Sequence, residues 1–471
     1  MLGTAAELRT PAPIALASPG LSDEGEVRLC RANPALFHTA MRLWPMGSGV
    51  CTSSSMVCAG APGAGLPADL HGGFAYTPPY NGPNALLQWM QPTNPPAPNS
   101  DEFFHLATHD DITIVGTPWH NAGGPYCGAV RVFERTAVSW IETLLVAPDP
   151  ALGQQFGRAI DLVDDVIAVG VPICNDTPPL SGAVWIFNRV DGQWVPHQKL
   201  YDLESGPQDY FGSRLCMNED WLFVTEQEFQ RSPMFRGSVL VFRRKGADWV
   251  PMQRLLPIDP IGFDGFGESL DVDGDRLAVG AIELSSLGSV YVFELINEQW
   301  VLEQRIVDHS LPLGYHLGID VDLAGDRLIV GMHPNNSSQV PPVESWATLY
   351  QLEFGQWRKR LELSPLPEEP SSNAGYSVAL LGDHAFVGAP LADGEIENQG
   401  ALFVYDLTEC LSCAGDLNLD GDAGFEDLIR ILSRWNEEGG EEDLDDNGLI
   451  GLGDVLRLLS VWGPCGQWGV E

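Results

Sequence analysis

The sequence predicts an all-β fold, a seven-bladed β-propeller with four-stranded antiparallel blades, followed by a small α-helical C-terminal module. Three observations carry this prediction. Apolar residues alternate with polar ones over short runs broken by glycine-bearing turns, the mark of strands joined by hairpins. A unit of 51 to 57 residues recurs seven times along the chain. After Cys410 the composition turns acidic and a second, shorter repeat begins, with an interval of 27 residues.

The long repeat is clearest from Phe266 to Trp300, FGESLDVDGDRLAVGAIELSSLGSVYVFELINEQW. Its opening and closing positions lie 13 residues apart in every copy: Gly47/Gly60, Phe103/Gly116, Gly157/Gly170, Gly212/Thr225, Gly267/Gly280, Gly318/Gly331 and Gly375/Gly388. The second half of each unit is also regular. Gly128-Ala-Val, Gly182-Ala-Val, Gly237-Ser-Val, Gly288-Ser-Val and Gly400-Ala-Leu run into an aromatic residue, with Gly73 before Phe74 and Trp346-Ala-Thr as degenerate cases. A tryptophan then starts the next strand at Trp89, Trp140, Trp194, Trp249, Trp300 and Trp357, a fixed place that assigns these rings to packing.

Four short strands per unit of this length describe a propeller blade, which cannot bury both faces alone and must close into a ring. The seventh unit has no tryptophan strand. Residues 26–32 (around EVRLC) are therefore expected to supply its outer strand and to close the ring, leaving no unpaired edge. On this reading residues 1–23 are a flexible leader, 24–409 the propeller and 410–471 the C-terminal module.

A net charge of −39 excludes a nucleic-acid partner, since phosphate binding needs clustered Lys and Arg. It suits a very soluble protein or one that takes divalent cations. The sequence holds no run of 18 apolar residues, so no membrane span is predicted. Nine cysteines in no zinc-ligand spacing favour disulfides, hence an exported protein at the cell surface or outside the cell, although no signal peptide is evident.

The repeats resemble the FG-GAP family. Phe156-Gly157, Phe211-Gly212 and Phe266-Gly267 match one half of its name, Gly60-Ala61-Pro62 and Gly388-Ala389-Pro390 the other, within residues 43–407. The resemblance implies seven-bladed propellers like the head of integrin α chains, and extracellular interaction surfaces open to a glycan or protein ligand. Integrin-like blades often carry calcium loops of the form DxDxDG. Here Asp271-Val-Asp273-Gly-Asp275 falls at the hairpin and is read as turn residues.

Residues 414–471 hold 14 acidic and 3 basic side chains. Two twelve-residue loops lie there in register. The first places Asp416, Asn418, Asp420, Asp422 and Asp427 at positions 1, 3, 5, 7 and 12; the second places Asp443, Asp445, Asn447, Leu449 and Asp454 likewise. Glycine stands at position 6 of each, as Gly421 and Gly448, where a sharp turn gathers oxygens around a hard cation such as calcium. Position 7 would ligate through its backbone carbonyl. Each loop leads into an apolar-periodic helix, DLIRILSRW or DVLRLLSVW.

This tail resembles the dockerin family from Gly415 to Gly463, including Asp at position 12. The resemblance implies a double EF-hand-like module that lacks the incoming helix, needs calcium to fold and docks onto a cohesin-like partner. Cys413 and Cys465 flank it and could close it covalently.

The sequence contains no HExxH, GxSxG or GxxxxGK grouping. The expectation is a non-enzymatic binding or structural protein whose tail anchors it. The alternative is a polysaccharide-degrading enzyme or accessory subunit. A cluster of acidic, His or Arg side chains in the central channel would favour that alternative.

Overall fold

The computed structural model describes residues 28–31, 50–53, 56–61, 72–76 and 87–90 as backbone strands. Within 105–407 it describes all but 137–139, 175–180, 205, 207–208, 227–236, 259–264, 283–286, 310, 312–314, 335–345, 354, 365–373 and 390–400. In the tail it describes 415–417, 422–437, 442–444, 448–460 and 462–464.

The blade count is six, not seven. Six repeats form four-stranded antiparallel blades: Val50–Ser53 to Leu87–Met90, His105–His109 to Trp140–Leu145, Ile160–Val163 to Gln193–Leu200, Leu215–Met217 to Asp248–Leu255, Phe266–Asp273 to Gln299–Ile306, and Tyr315–Ala324 to Gln356–Ser364. Among the described residues the last repeat makes a three-stranded sheet, Ser377–Leu381, His384–Ala389 and Ala401–Asp406. Its first strand lies between the innermost strands of blades six and one, which closes the circle.

The predicted closure by the N-terminal strand is also corrected. Arg28–Arg31 does not complete the three-stranded sheet. It pairs in parallel with the outer strand of blade six, Arg28 opposite Leu361 through Arg31 opposite Ser364. The physical reason lies in how outer strands are joined. The Gln198 side chain donates to the Trp249 carbonyl at 3.0 Å and accepts from its amide at 2.8 Å, clasping blade four to blade three. Gln253 does the same to Trp300, and Gln304 to Trp357. Blade six carries Leu361 at this position, as blade two carries Leu144, and among the described residues the sheet that follows blade six has no outer strand to clasp. The edge of Gln356–Ser364 therefore keeps unpaired backbone groups, and the N-terminal strand takes them.

The spacing of 13 is a hairpin register. The opening glycine donates its amide to the closing residue's carbonyl, as Gly157 does to Gly170 at 3.1 Å and Gly375 to Gly388 at 3.1 Å. The same glycines form the seam between blades. A Cβ added to Gly170 would stand 2.1 Å from the carbonyl oxygen of Gly212, which itself sits at φ +88°. Only glycine on both sides allows this approach. The predicted Gly-Asp turns are present too, with Gly274, Gly325 and Gly382 at positive φ.

Apolar layers fill the spaces between neighbouring blades. One joins Ile167, Val169 and Phe187 to Ile114 and Val132; another joins Leu277, Val279 and Phe293 to Phe223 and Val241. Trp249, Trp300 and Trp357 are buried, as their fixed place in the repeat predicts. The expectation of disulfides is corrected for Cys127, Cys174 and Cys216. They are buried thiols, each placed by its own blade at a separate position in the packing. No helix among the described residues is long and apolar enough to cross a membrane.

Candidate functional site

The tail folds as two copies of one half. Helix α1 spans Phe425–Ser433 and helix α2 spans Leu452–Ser460. The core of the module pairs residues 27 apart: Ala423 with Ile450, Ile431 with Leu458, and Leu417 with Leu444. The strand contacts obey the same symmetry. Ala423 pairs with Gly463 beyond α2, while Ile450 exchanges backbone bonds with Asn436 and Glu437 beyond α1, each at 2.9 Å.

The predicted metal-binding positions can be placed in part. Asp416, Asp427 and Asp454 are buried carboxylates, which is costly without a compensating partner. Asp427 accepts from the Leu417 amide at 2.7 Å and from the Gly424 amide at 2.8 Å, so it ties the start of the loop to the start of α1. Asp454 accepts from Gly451 at 2.6 Å at the start of α2. Asp443, at position 1, accepts from the amide of Gly448, at position 6, at 2.9 Å; Gly448 has φ +90°. Leu449 is exposed after it.

Asn418, Asp420, Asp445, Asn447 and the side chain of Asp422 lie outside the described residues. Among the described residues no three His, Cys, Asp or Glu stand close enough to hold a metal ion. The described acidic loop members nevertheless fit a hard cation in donor chemistry: all are carboxylates, two close their loops onto a helix start, and the turn glycine has the needed backbone.

Outside this core both helices present an exposed apolar stripe. Phe425, Ile429, Leu432 and Trp435 on the first half match Leu452, Leu456, Leu459 and Trp462 on the second, position for position. Phe425 and Leu452 are 67% and 64% exposed, so this is not core left partly covered.

The propeller carries a second constellation, at its axis. Six consecutive repeats each bring one chemistry-bearing residue to the innermost strand or just before it, one or two positions after the repeat opening: His105, Arg158, Arg214, Glu268, Asp320 and Tyr376. All are half-buried, and their charges act on one another across the ring. Arg214 donates through Nη2 to Glu268 Oε1 at 2.6 Å and through Nε to the Glu268 carbonyl at 2.9 Å. Burial, then Arg214, lower the Arg158 guanidinium to about 10, against the pull of Glu268 and Tyr376. Burial, then Arg214 and Arg158, hold His105 well below the usual imidazole range, so its ring is neutral at pH 7. Burial also raises Tyr376.

A level deeper along the same strands lie Asp161, Cys216, Asp271 and Asp322. Here the aspartates are inter-blade acceptors. Asp161 takes the amide of Met217 at 2.6 Å, Asp271 that of Leu323 at 2.6 Å, and Asp322 that of Leu380 at 2.6 Å. Asp320 takes that of Val378 at 2.8 Å. Asp271 and Asp273 thus do more than shape a turn: each reaches the next blade, Asp273 through the Gly325 amide at 2.6 Å. Burial raises Asp161 and Asp320 to about 7, and raises Asp271 and Asp322 as well.

The upper level escapes sequence reasoning because its residues differ from blade to blade, and a search for repeated motifs passes over them. His105, whose sequence position suggests only a residue beside a strand, opens the innermost strand of blade two. Aligning the residues just after each opening would have found the whole ring.

Residues 249–293 match the sequence model of the FG-GAP repeat, across the junction of blades four and five. No curated protein matches the chain. Among solved structures, the β-propeller domain of the Trilobed protease from Pyrococcus furiosus is similar at 8% identity with a TM-score of 0.45, covering 77% of this chain and 95% of that one. The C-terminal WD40 domain of Sif2 is similar at 10% identity with a TM-score of 0.44, covering 81% and 99%.

Proposed function

We propose that this is an exported, non-enzymatic binding or structural protein that is held in place by its tail. The propeller offers the ligand-presenting surface. The tail is a dockerin-like module that binds two calcium ions and docks onto a cohesin-like protein. The observation that carries the docking half is the doubled apolar stripe, Phe425 to Trp435 and Leu452 to Trp462, exposed on a module whose own core is already complete. Asp416, Asn418, Asp420, Asp422 and Asp427 would hold one ion, and Asp443, Asp445, Asn447, Leu449 and Asp454 the other. Bound calcium would neutralise the loop carboxylates and would fix the two loops that lead into the helices. At calcium of ~100 times Kd, each site would add ~2.7 kcal/mol to stability.

The test is capture by the full chain from the surface fraction of its source cells, with calcium and with chelator. The expected result is capture of a discrete partner in calcium that is lost in chelator. It should be lost again when the stripe is made polar on both helices, as in Ile429→Asp combined with Leu456→Asp. Equal capture in both conditions overturns the reading.

A second reading is favoured by the axial ring. His105, Arg158, Arg214, Glu268 and Tyr376 form the acidic, His and Arg cluster that a polysaccharide-active enzyme or accessory subunit would need. Turnover of an acidic glycan by the full chain, abolished by Tyr376→Phe, would replace the first reading with this one.

A further inference from the structure

We propose that the axial ring of the propeller is a binding site for a small organic anion that carries both a carboxylate and hydroxyl groups, the chemistry of a uronic acid. This deepens the reading of the propeller as a ligand-presenting scaffold, and rests on it.

Charge points there first. The chain has 25 basic residues against 64 acidic ones, yet two arginines from adjacent blades stand together at the axis. Glu268 is held by Arg214 at 2.6 Å and its charge acts on Arg158 as well. Burial and the like charge of Arg214 together bring Arg158 down to about 10. A ligand carboxylate would add a counter-charge to two half-buried guanidiniums of like sign. A guanidinium presents five donors in a planar fork, so Arg158 can serve protein partners and still take one carboxylate oxygen pair.

Exposure points the same way. Every member of the ring is half-buried rather than sealed; the side chains of Arg214 and Glu268 keep 21% and 24% of their surface open. A ligand can therefore reach the ring, and desolvation on binding would strengthen its contacts.

The level below supplies the hydroxyl partners. Asp320 belongs to the upper level and Asp322 to the lower one, two residues further along the strand, a rise of about 7 Å. That is the span of one sugar ring. Asp161, Asp271 and Asp322 each use a carboxylate oxygen on a neighbouring blade's amide and, being raised by burial, remain good hydroxyl partners in either protonation state. A carboxylate at Arg158, with Tyr376 and neutral His105 beside it, would place the hydroxyls toward these aspartates. A neutral sugar would lack the first contact, and a simple carboxylate the second.

The experiment is calorimetric titration of the full chain with D-glucuronate, D-glucose and acetate at pH 7. Saturable binding of D-glucuronate is expected, with the other two at least tenfold weaker. Arg158→Gln should weaken D-glucuronate at least tenfold while the thermal unfolding transition stays cooperative. Tyr376→Phe, which removes only a hydroxyl, provides the second variant and should weaken it severalfold. D-glucose binding as tightly as D-glucuronate, no saturable D-glucuronate binding, or unchanged affinity in Tyr376→Phe would overturn the site. Absence of D-glucuronate binding alongside intact calcium-dependent capture by the tail would remove this site and leave the docking reading standing.

Discussion

Both regions of this chain are built by repetition, but they use it in opposite ways. In the propeller the scaffold repeats and the chemistry varies. The seam glycines, buried tryptophans and glutamine clasps recur from blade to blade, while the residues at the axis run His, Arg, Arg, Glu, Asp, Tyr. In the tail both scaffold and chemistry repeat. The core residues, the helix-capping aspartates and the exposed stripe all recur at an interval of 27. A ring of many units can give each copy a different part to play at one shared axis. A pair of units sharing one small core has no such freedom, and presents the same face twice.

The propeller is a chain of seams, each depending on its neighbours. Gly170→Ala is a direct single test of this, because the new Cβ would meet the Gly212 carbonyl oxygen at 2.1 Å and force two blades apart. We expect a loss of about 3 kcal/mol or more by chemical denaturation. Gly192→Ala is the control: it has positive φ, at +75°, but its Cβ would meet nothing within 4 Å, so only backbone strain of about 1 kcal/mol is expected. Equal losses in the two variants would mean that the glycines serve turns and not a seam.

The tail depends on its aspartates in place of a seam. Asp427→Ala leaves the buried amides of Leu417 and Gly424 without their acceptor, a cost of about 1–3 kcal/mol for each. Limited proteolysis should then show cleavage within 415–464 while the propeller resists. By the internal symmetry Asp454→Ala should do the same. Protection of the tail in both variants would break the comparison.

How much of this was legible in the sequence follows from the same contrast. Whatever repeats could be read: the hairpin register from the interval of 13, the tryptophan packing, and the tail's pairing from the interval of 27. The axial ring could not, since six different side chains make no motif. Strand pairing at the ends is misread for another reason. Alternation identifies Arg28–Arg31 as a strand, but the choice of edge depends on which outer strand lacks a clasp. Leu361 stands where Gln198, Gln253 and Gln304 stand in blades three to five, but Leu144 stands there in blade two, so that position does not encode the choice alone. The missing tryptophan of the last repeat marks a missing strand, and with it six full blades in place of seven.

The smallest effect separates the two regions by sign. Asp161 and Asp320 titrate near 7 in the folded propeller, raised by burial from the ordinary carboxylate value near 3.9. The folded state therefore binds more protons than the unfolded chain between about pH 4 and pH 7, and propeller stability falls as pH rises through that window and levels off above it. Arg214 and the amides of Val378 and Val321 face Asp320, and those of Leu162 and Met217 face Asp161; all oppose the shift without reversing it. Both residues keep some exposure, so the slope is shallow. Under the proposed function the tail should move the other way in calcium, because carboxylates that hold such an ion must be deprotonated. Thermal unfolding followed across pH 4 to 8 should thus show two transitions drifting in opposite directions. Asp161→Asn, which cannot ionise, should flatten the propeller's drift and leave the tail's unchanged. A propeller transition that instead rises with pH in both proteins would show that these two carboxylates are ionised in the fold, held by the amides of the next blade against their burial.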